Sequence, residues 1–350
     1  MERGGFGPKR ISIELTNICN LHCSYCLRDE DALYHTPANF FSPDLLNRIL
    51  SQAQDVMGVT AVAFTGGEPT LHPEFDRILG VSAAKSLKTS FVTNGWHFEK
   101  VWPSILANRN SITHVAFSLD GITAETHDAW RGAGSFERVV RAFSRCYAAK
   151  IPFAVKVAIR RDTIEQLEQI ALFAARFGAY SLNFAHIMPT SNEVEETSAL
   201  SYVEREEADQ EIANLSRIFR MKIGIDVGYH NRDVSPPCSA LAGVSCNVDY
   251  RGRLSLCCNL AGFRGASGES DVVADLSVED FAPAFRRLSE IAARQVEARR
   301  NRLEALDHDS ADPYVSSPCL FCLDTFGKLP WRAGFGVGSE SRSLPVLQSR

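Results

Sequence analysis

The run Cys19-Asn20-Leu21-His22-Cys23-Ser24-Tyr25-Cys26 follows a strand-like segment, 11–16 (ISIELT). Its spacing, C-x3-C-x2-C, delivers three thiolates from a single loop. A cubane [4Fe–4S] cluster usually takes four cysteine thiolates. Three leave one iron without a local protein ligand, open to a chelating small molecule or to a fourth ligand from elsewhere in the chain. Three cysteines alone are also compatible with part of a tetrahedral zinc site.

Four further segments fall at the ends of candidate strands. The run 59–64 (VTAVAF) leads into Thr65-Gly66-Gly67-Glu68-Pro69-Thr70, and 89–93 (TSFVT) leads into Asn94-Gly95. The run 112–117 leads into Ser118-Leu119-Asp120-Gly121, and 184–188 ends at Met188 before Pro189. Taken singly, each reads as a tight turn, since Gly-Gly, Asn-Gly and Asp-Gly are turn formers. Together, in this order after C-x3-C-x2-C, they closely resemble the radical S-adenosylmethionine (radical SAM) family.

That resemblance implies a specific chemistry. Cys19, Cys23 and Cys26 hold a [4Fe–4S] cluster whose open iron binds the amino and carboxylate groups of SAM. Reductive cleavage of SAM then yields methionine and a 5′-deoxyadenosyl radical, which abstracts a substrate hydrogen. The matching residues Gly66, Gly67 and Glu68 are expected to face the amino group of SAM, the glycines by letting backbone approach closely. Asn94, Ser118 and Asp120 are expected to line the same site. Tyr25 is placed to pack on the adenine, and Met188 to contact adenosine at the sixth strand end. His186, two residues before it, reads either as an adenosine contact or as an ordinary strand histidine.

The first half alternates β-rich and helical patterns. Strands fit near 11–16, 59–64, 89–93, 112–118, 152–159 and 180–187. Helices fit near 74–86, 97–108, 135–149 and 163–177, and a strong start at Ser42-Pro43-Asp44 precedes apolar residues at helical spacing. Repetition at this pitch predicts an α/β fold with a parallel sheet. Six units resemble the partial (β/α)6 barrel of the family. The motifs fall at the carboxyl ends of the strands, where parallel α/β sheets bind ligands. The charged stretch 191–220 reads as helical with a solvated Glu face and is given no catalytic role.

A second cysteine set comprises Cys238, Cys246, Cys257, Cys258, Cys319 and Cys322. The stretch 247–256 reads as a hairpin turning at Tyr250-Arg251-Gly252, and Cys319-x2-Cys322 has metal-clip spacing. This half resembles the SPASM/twitch extensions of radical SAM enzymes, in the shorter, one-cluster form. The resemblance implies that Cys238, Cys257, Cys319 and Cys322 hold an auxiliary [4Fe–4S] cluster. Cys258 is an alternative to Cys257, Cys246 is spare, and a structural zinc site of four thiolates is the competing reading. Cys146 sits in a helical pattern and reads as a buried apolar thiol. The expected organisation is a radical SAM barrel over 1–220, a twitch/SPASM-like domain over 221–330 and a flexible tail over 331–350.

Composition narrows the function classes. The chain has 350 residues, 45% of them hydrophobic, and a net charge of −5, so nothing in it points to nucleic acid. It shows no signal-peptide pattern and no 18-residue apolar run, so a cytoplasmic protein without a membrane span is expected. Ten cysteines clustered in motifs fit a reducing compartment and metal ligation. Two substrate classes follow from the resemblance: a ribosomally synthesised peptide, or a small-molecule alcohol such as an aminocyclitol. No leader-binding domain is seen before the first strand, which weakens the peptide reading without removing it. A flavodoxin- or ferredoxin-type protein is the expected electron donor. A non-enzymatic iron–sulfur scaffold would require the strand-end motifs to be coincidental.

Overall fold

A computed structural model describes residues 10–28, 30–234, 238–264, 269–306 and 312–332. Among the described residues ten strands form one sheet. They are β1 Arg10–Glu14, β2 Ala61–Thr65, β3 Lys88–Thr93, β4 Ile112–Ser118, β5 Phe153–Ile159, β6 Ser181–His186, β7 Lys222–Val227, β8 Ser245–Val248, β9 Arg253–Ser255 and β10 Val272–Asp275. The spatial order is β10-β9-β8-β1-β2-β3-β4-β5-β6-β7. Strands β1 to β7 are parallel to their neighbours, and β8 adds in parallel to the free edge of β1. The sheet stays open, as a partial barrel does. The expected hairpin is present as the antiparallel pair β8–β9.

Alternation along the strands separates two faces. Ile11, Ile13, Phe64, Phe91, Val115, Phe117, Val155, Val157, Leu182 and Phe184 are buried in the apolar layer. The opposite face is small or polar. Cross-strand register aligns Ser12 with Ala63, Ala63 with Ser90, and Ser90 with His114. Further round, Ser118 stands beside Lys156 and Lys156 beside Asn183. Large aliphatic and aromatic residues anchor the helices outside, while the inner face is small or polar.

The helices are α1 Pro43–Met57, α2 Phe75–Ala84, α3 Phe98–Ala107, α4 Ala124–Arg131, α5 Ser135–Ala149, α6 Leu167–Arg176, α7 Asn192–Thr197, α8 Tyr202–Ile218, α9 Phe281–Glu304, α10 Pro313–Ser316 and α11 Pro318–Thr325. Helix α1 begins as expected, with the Ser42 hydroxyl accepting from the Leu45 amide at 3.4 Å, and ends at Gly58 with φ +69°. Helices α4, α9, α10 and α11 and strands β7 and β10 were not anticipated. The 24-residue α9 is tied back to α1, where the Gln52 side chain reaches Asp280 at 2.6 Å and the Phe281 amide at 2.9 Å. The expected tail lies, from residue 333 on, outside the described residues. Among the described residues no helix is long and apolar enough to cross a membrane.

Candidate functional site

The first cysteine loop leaves β1 and is held from behind. Asn17 donates to the Ala32 carbonyl at 2.6 Å and accepts from the Asn39 amide at 2.7 Å. Tyr34 donates to the Leu21 carbonyl and stacks on His22 at 3.8 Å between ring centroids. This occupies His22, so its ring supports the loop. Within the loop, burial, then the Glu68 carboxylate and the neighbouring Cys23 and Cys26, push the Cys19 thiol up to about 12. A thiol held protonated in this way ionises on coordinating a metal.

Several groups are already oriented for such an occupant. The Leu21 amide points at Cys19 Sγ at 3.5 Å and Asn94 Nδ2 at 3.9 Å. Asn20 Nδ2 is buried in the same loop without a partner. N–H groups aimed at sulfur suit iron–sulfur ligation, where hydrogen bonds to the sulfurs tune the cluster. Among the described residues no three His, Cys, Asp or Glu side chains converge as ligands of one ion would.

The Gly66-Gly67 turn is shaped by the cysteine loop. Gly66 adopts φ +132°, and a Cβ there would stand 2.6 Å from the Thr16 carbonyl oxygen. A Cβ on Gly67 would overlap the Ile18 carbonyl. The Gly67 and Glu68 amides donate to the Thr16 and Ile18 carbonyls at 2.9 and 2.8 Å. These glycines therefore let the two loops lie backbone to backbone. Glu68 is buried, and both its carboxylate oxygens accept bonds from protein groups. Oε1 receives the Thr70 amide (3.1 Å), the Thr70 hydroxyl (2.6 Å) and the Thr93 hydroxyl (2.8 Å), and Oε2 receives the Asn94 amide (2.8 Å). It ties the ends of β2 and β3 together and thereby places Asn94 against Cys19.

Asp120 lies across the loop, fully buried. Its carboxylate pairs with Arg131, accepts from the Tyr25 hydroxyl and from the Ala158 amide at 3.1 Å, and sits 3.6 Å from Arg160. Burial alone would raise its carboxyl, but Arg131 and Arg160 hold it below the usual carboxylate range. Tyr25 has its hydroxyl in this network and its ring near Arg160 and Trp130. Arg131 and Arg160 were invisible to motif reading, because each acquires a role only through the fold. Ala at Asp120 leaves Arg131 buried without its carboxylate. That change is expected to destabilise the chain by about 3–5 kcal/mol, read as a lower urea midpoint, and Asn to cost less. An unchanged midpoint for the Ala variant would show the pair to be dispensable.

At the sixth strand end Met188 is buried, and His186 faces the helix layer, bonding Asp209 of α8 at 2.6 Å. His186 thus takes the ordinary strand role rather than the adenosine contact. Ser118, at the end of β4, is half-buried on the polar face.

The second set gathers from three segments. Cys319 and Cys322 lie on the first turns of α11, Cys257 and Cys258 follow β9, and Cys238 precedes β8. The Gly228 amide donates to Cys319 Sγ at 3.4 Å and the Asn259 amide to Cys257 Sγ at 3.5 Å. Burial, with Cys238 and Cys258 nearby, pushes Cys319 up to about 12, and Cys322 rises for the same reason beside Cys238 and Cys319. The adjacent Cys257 and Cys258 thiols act on each other, which holds the first up and, with the Arg28 charge nearby, draws the second down. The hydroxyls of Ser316 and Ser317, just before Cys319, are buried without partners. Cys246 stands apart. It is opposite Ile11 in register, in the apolar layer, and only burial acts on it. Cys146 is likewise a buried apolar thiol of α5.

Arg28, two residues past Cys26, joins the sets. It pairs with Glu14 at 2.8 Å and feels the charges of Cys258, Cys26 and Cys257. Around it the two loops are stitched together. Arg28 forms an antiparallel bridge with Phe263, and the Arg264 amide donates to the Leu27 carbonyl at 2.7 Å. A cavity of about 240 Å³ opens here, lined on one side by Glu14, Arg28, Gly66 and Gly67 and on the other by Asp249, Arg253 and Asp271.

The strand ends of this open parallel sheet gather one three-cysteine loop and one distant cysteine set, a thiol-rich site at the ligand-binding edge of an α/β fold. Residues 13–174 match the model of the Radical SAM superfamily. Residues 13–174 are therefore a radical SAM domain, and that family uses a [4Fe–4S] cluster and SAM. It is similar to mycofactocin maturase MftC of Mycobacterium tuberculosis (strain CDC 1551 / Oshkosh), 34% identical over 195 residues, which is 54% of this chain and 47% of that protein. The chain spans about half the length of the curated relatives it matches. Its fold is that of Streptococcus suis SuiB bound to S-adenosylmethionine, with a TM-score of 0.66 at 16% identity over 81% of this chain and 68% of that one. It is also that of anSMEcpe with bound AdoMet, with a TM-score of 0.65 at 16% identity over 89% and 88% of the two chains.

Proposed function

We propose that this chain cleaves SAM reductively at a cluster held by Cys19, Cys23 and Cys26 and modifies a ribosomally synthesised peptide. In this reading a second cluster, on Cys238, Cys257, Cys319 and Cys322, accepts an electron. The carrying observation is the stitched junction at Arg28, which sets both cysteine groups about one rigid contact. The peptide reading draws support from a relative named a maturase and from the likeness to SuiB, which has been solved bound to the precursor peptide SuiA.

When bound, the first cluster and SAM supply a radical that removes a substrate hydrogen atom, and the second cluster takes up the electron left behind. The chain's own residues provide position. Gly66 and Gly67 bring backbone against the cysteine loop, Glu68 fixes Asn94, and the Asp120–Arg131–Tyr25 network braces the loop on its far side. Rigidity here matters, because a reacting atom misplaced by about 1 Å costs on the order of 10²-fold in rate. The short polar face of the sheet leaves the substrate its space.

The test uses the full chain, reconstituted anaerobically and given SAM, dithionite and a peptide encoded beside its gene. Formation of 5′-deoxyadenosine with a mass change in the peptide is expected. A loaded protein that forms no 5′-deoxyadenosine overturns the enzymatic reading. Turnover of a small alcohol with the peptide untouched overturns the substrate assignment alone.

A further inference from the structure

We infer that Arg299 sets the reduction potential of the auxiliary cluster, an assignment that rests on the electron-accepting reading above. Arg299 lies on α9 and is 3% exposed. Its guanidinium is clamped by backbone carbonyls. Nε donates to Val315 at 2.9 Å, and Nη2 donates to Ser316 at 3.1 Å and to Asn231. Among the described residues no carboxylate forms an ion pair with it. The ionisable groups that face it most strongly are the thiols of Cys322, Cys238 and Cys319 and the phenol of Tyr229.

A buried guanidinium that meets only neutral carbonyls is costly, because its charge has left water without gaining a counter-charge. Four thiolates on a cubane supply that counter-charge. Such a cluster is negative in both oxidation states and gains one further negative charge on reduction. A fixed cation therefore stabilises the reduced state more than the oxidised state and raises the potential. The carbonyl clamp matters as much as the charge. An arginine this size would otherwise extend its head toward water, and here two segments, at 231 and at 315–316, hold it inward. The orphaned hydroxyls of Ser316 and Ser317 add donors at the same edge. Hydrogen bonds toward cluster sulfur act in the same direction. Arg205 also feels Cys319, but Asp209 is the strongest opposing charge on it. Among the described residues no carboxylate plays that part for Arg299.

A cluster made easier to reduce is a better sink for an electron from a substrate-derived radical, which is oxidised as the cluster is reduced by one electron. The same residue would thus favour forward electron flow without touching substrate.

An anaerobic redox titration followed by electron paramagnetic resonance tests this on the full chain with both clusters loaded. Arg299→Gln is expected to move the auxiliary midpoint to a more negative value. The expected change is about tenfold in the one-electron equilibrium, or about 59 mV, with the SAM-cluster signal unmoved. Arg299→Lys keeps the charge and is expected to stay nearer the parent. An unmoved auxiliary midpoint in the Gln variant, or equal shifts in Gln and Lys, overturns the assignment. Where the Gln variant loses its auxiliary iron, Val296→Glu decides, since residue 296 is one helical turn from Arg299 and lines the same small cavity beside Cys238. Its carboxylate should lower the midpoint by neutralising the guanidinium, and an unmoved value overturns the assignment. A parent chain that holds a single cubane overturns the electron-accepting reading together with the assignment. An intact second cubane with an indifferent midpoint overturns only the role of Arg299.

Discussion

A chain in which Cys19, Cys23 and Cys26 are all Ala is expected to form no 5′-deoxyadenosine from SAM and dithionite, a loss of about 10³-fold or more. Its iron should fall from about eight to about four per chain, one cubane's worth. The reason is that the three thiols share one loop, and no other cysteine among the described residues shares it. The second set is separated from them by Arg28 and its stitching to residues 261–264. The fold itself should survive the substitutions. All three cysteines are only half-buried, while the loop is held by Asn17, Tyr34 and the backbone bonds of Thr16 and Ile18. Iron analysis and product chromatography on the same sample decide the matter. Full SAM cleavage by the triple variant would sink the assignment of this loop. Loss of all iron would instead mean that the second set depends on the first, as a shared junction at Arg28 could produce.

Sequence reading reached the sheet more easily than the site, for physical reasons. Strands β1 to β6 were legible because their outward residues are large and their inward residues small or polar, so each run shows its period locally. Helix α5 was legible over its whole length for the same reason. Helix α9 escaped notice. Its exposed face carries Arg and Glu at nearly every turn, and its apolar positions gain meaning only against α1. Strand β7 is only half-buried along its length and shows no clean alternation, and its pairing with β6 is a tertiary fact. The three-cysteine loop was legible because its ligands are adjacent in sequence. The braces around it were not. Nothing near Asp120 in sequence announces Arg160, and nothing near Glu68 announces that its oxygens also accept from Thr70, Thr93 and Asn94. A carboxylate in a glycine-rich turn can face outward or inward, and only the neighbouring strand end decides which. Cys246 and Cys258 were likewise indistinguishable by spacing. The fold separates them, since Cys246 is paired with Ile11 in the apolar layer and Cys258 lies in the loop after β9, near Arg28.

A Cys322→Ala chain is expected to behave in the opposite way to the triple variant. It should still cleave SAM, with 5′-deoxyadenosine formed at a rate within severalfold of the parent, yet yield little finished product. Cys322 lies on the buried side of α11 and shares its surroundings with Cys238, Cys319 and the Arg299 guanidinium. Removing it takes one of four expected ligands from the auxiliary cluster and leaves the first loop, across the Arg28 junction, untouched. The hydrogen-abstraction step needs only the first cluster and SAM. Completion of a two-electron oxidation needs a place for the second electron, so the uncoupling of SAM cleavage from product is the signature of that role. The measurement is the ratio of 5′-deoxyadenosine to product, together with iron and zinc per chain. The parent should carry about eight irons and no zinc. Four irons with one zinc in the parent would favour the structural-zinc reading of this half, and about twelve irons would mean a third cubane. Product formed at the parent ratio by a variant proved to lack the auxiliary cluster would leave that cluster a structural role only. A loss of both activities together, with α11 unfolded, would be separated from uncoupling by Cys322→Ser. Serine keeps the size and polarity of the side chain while ligating iron more weakly, and it should restore the fold without restoring the product ratio.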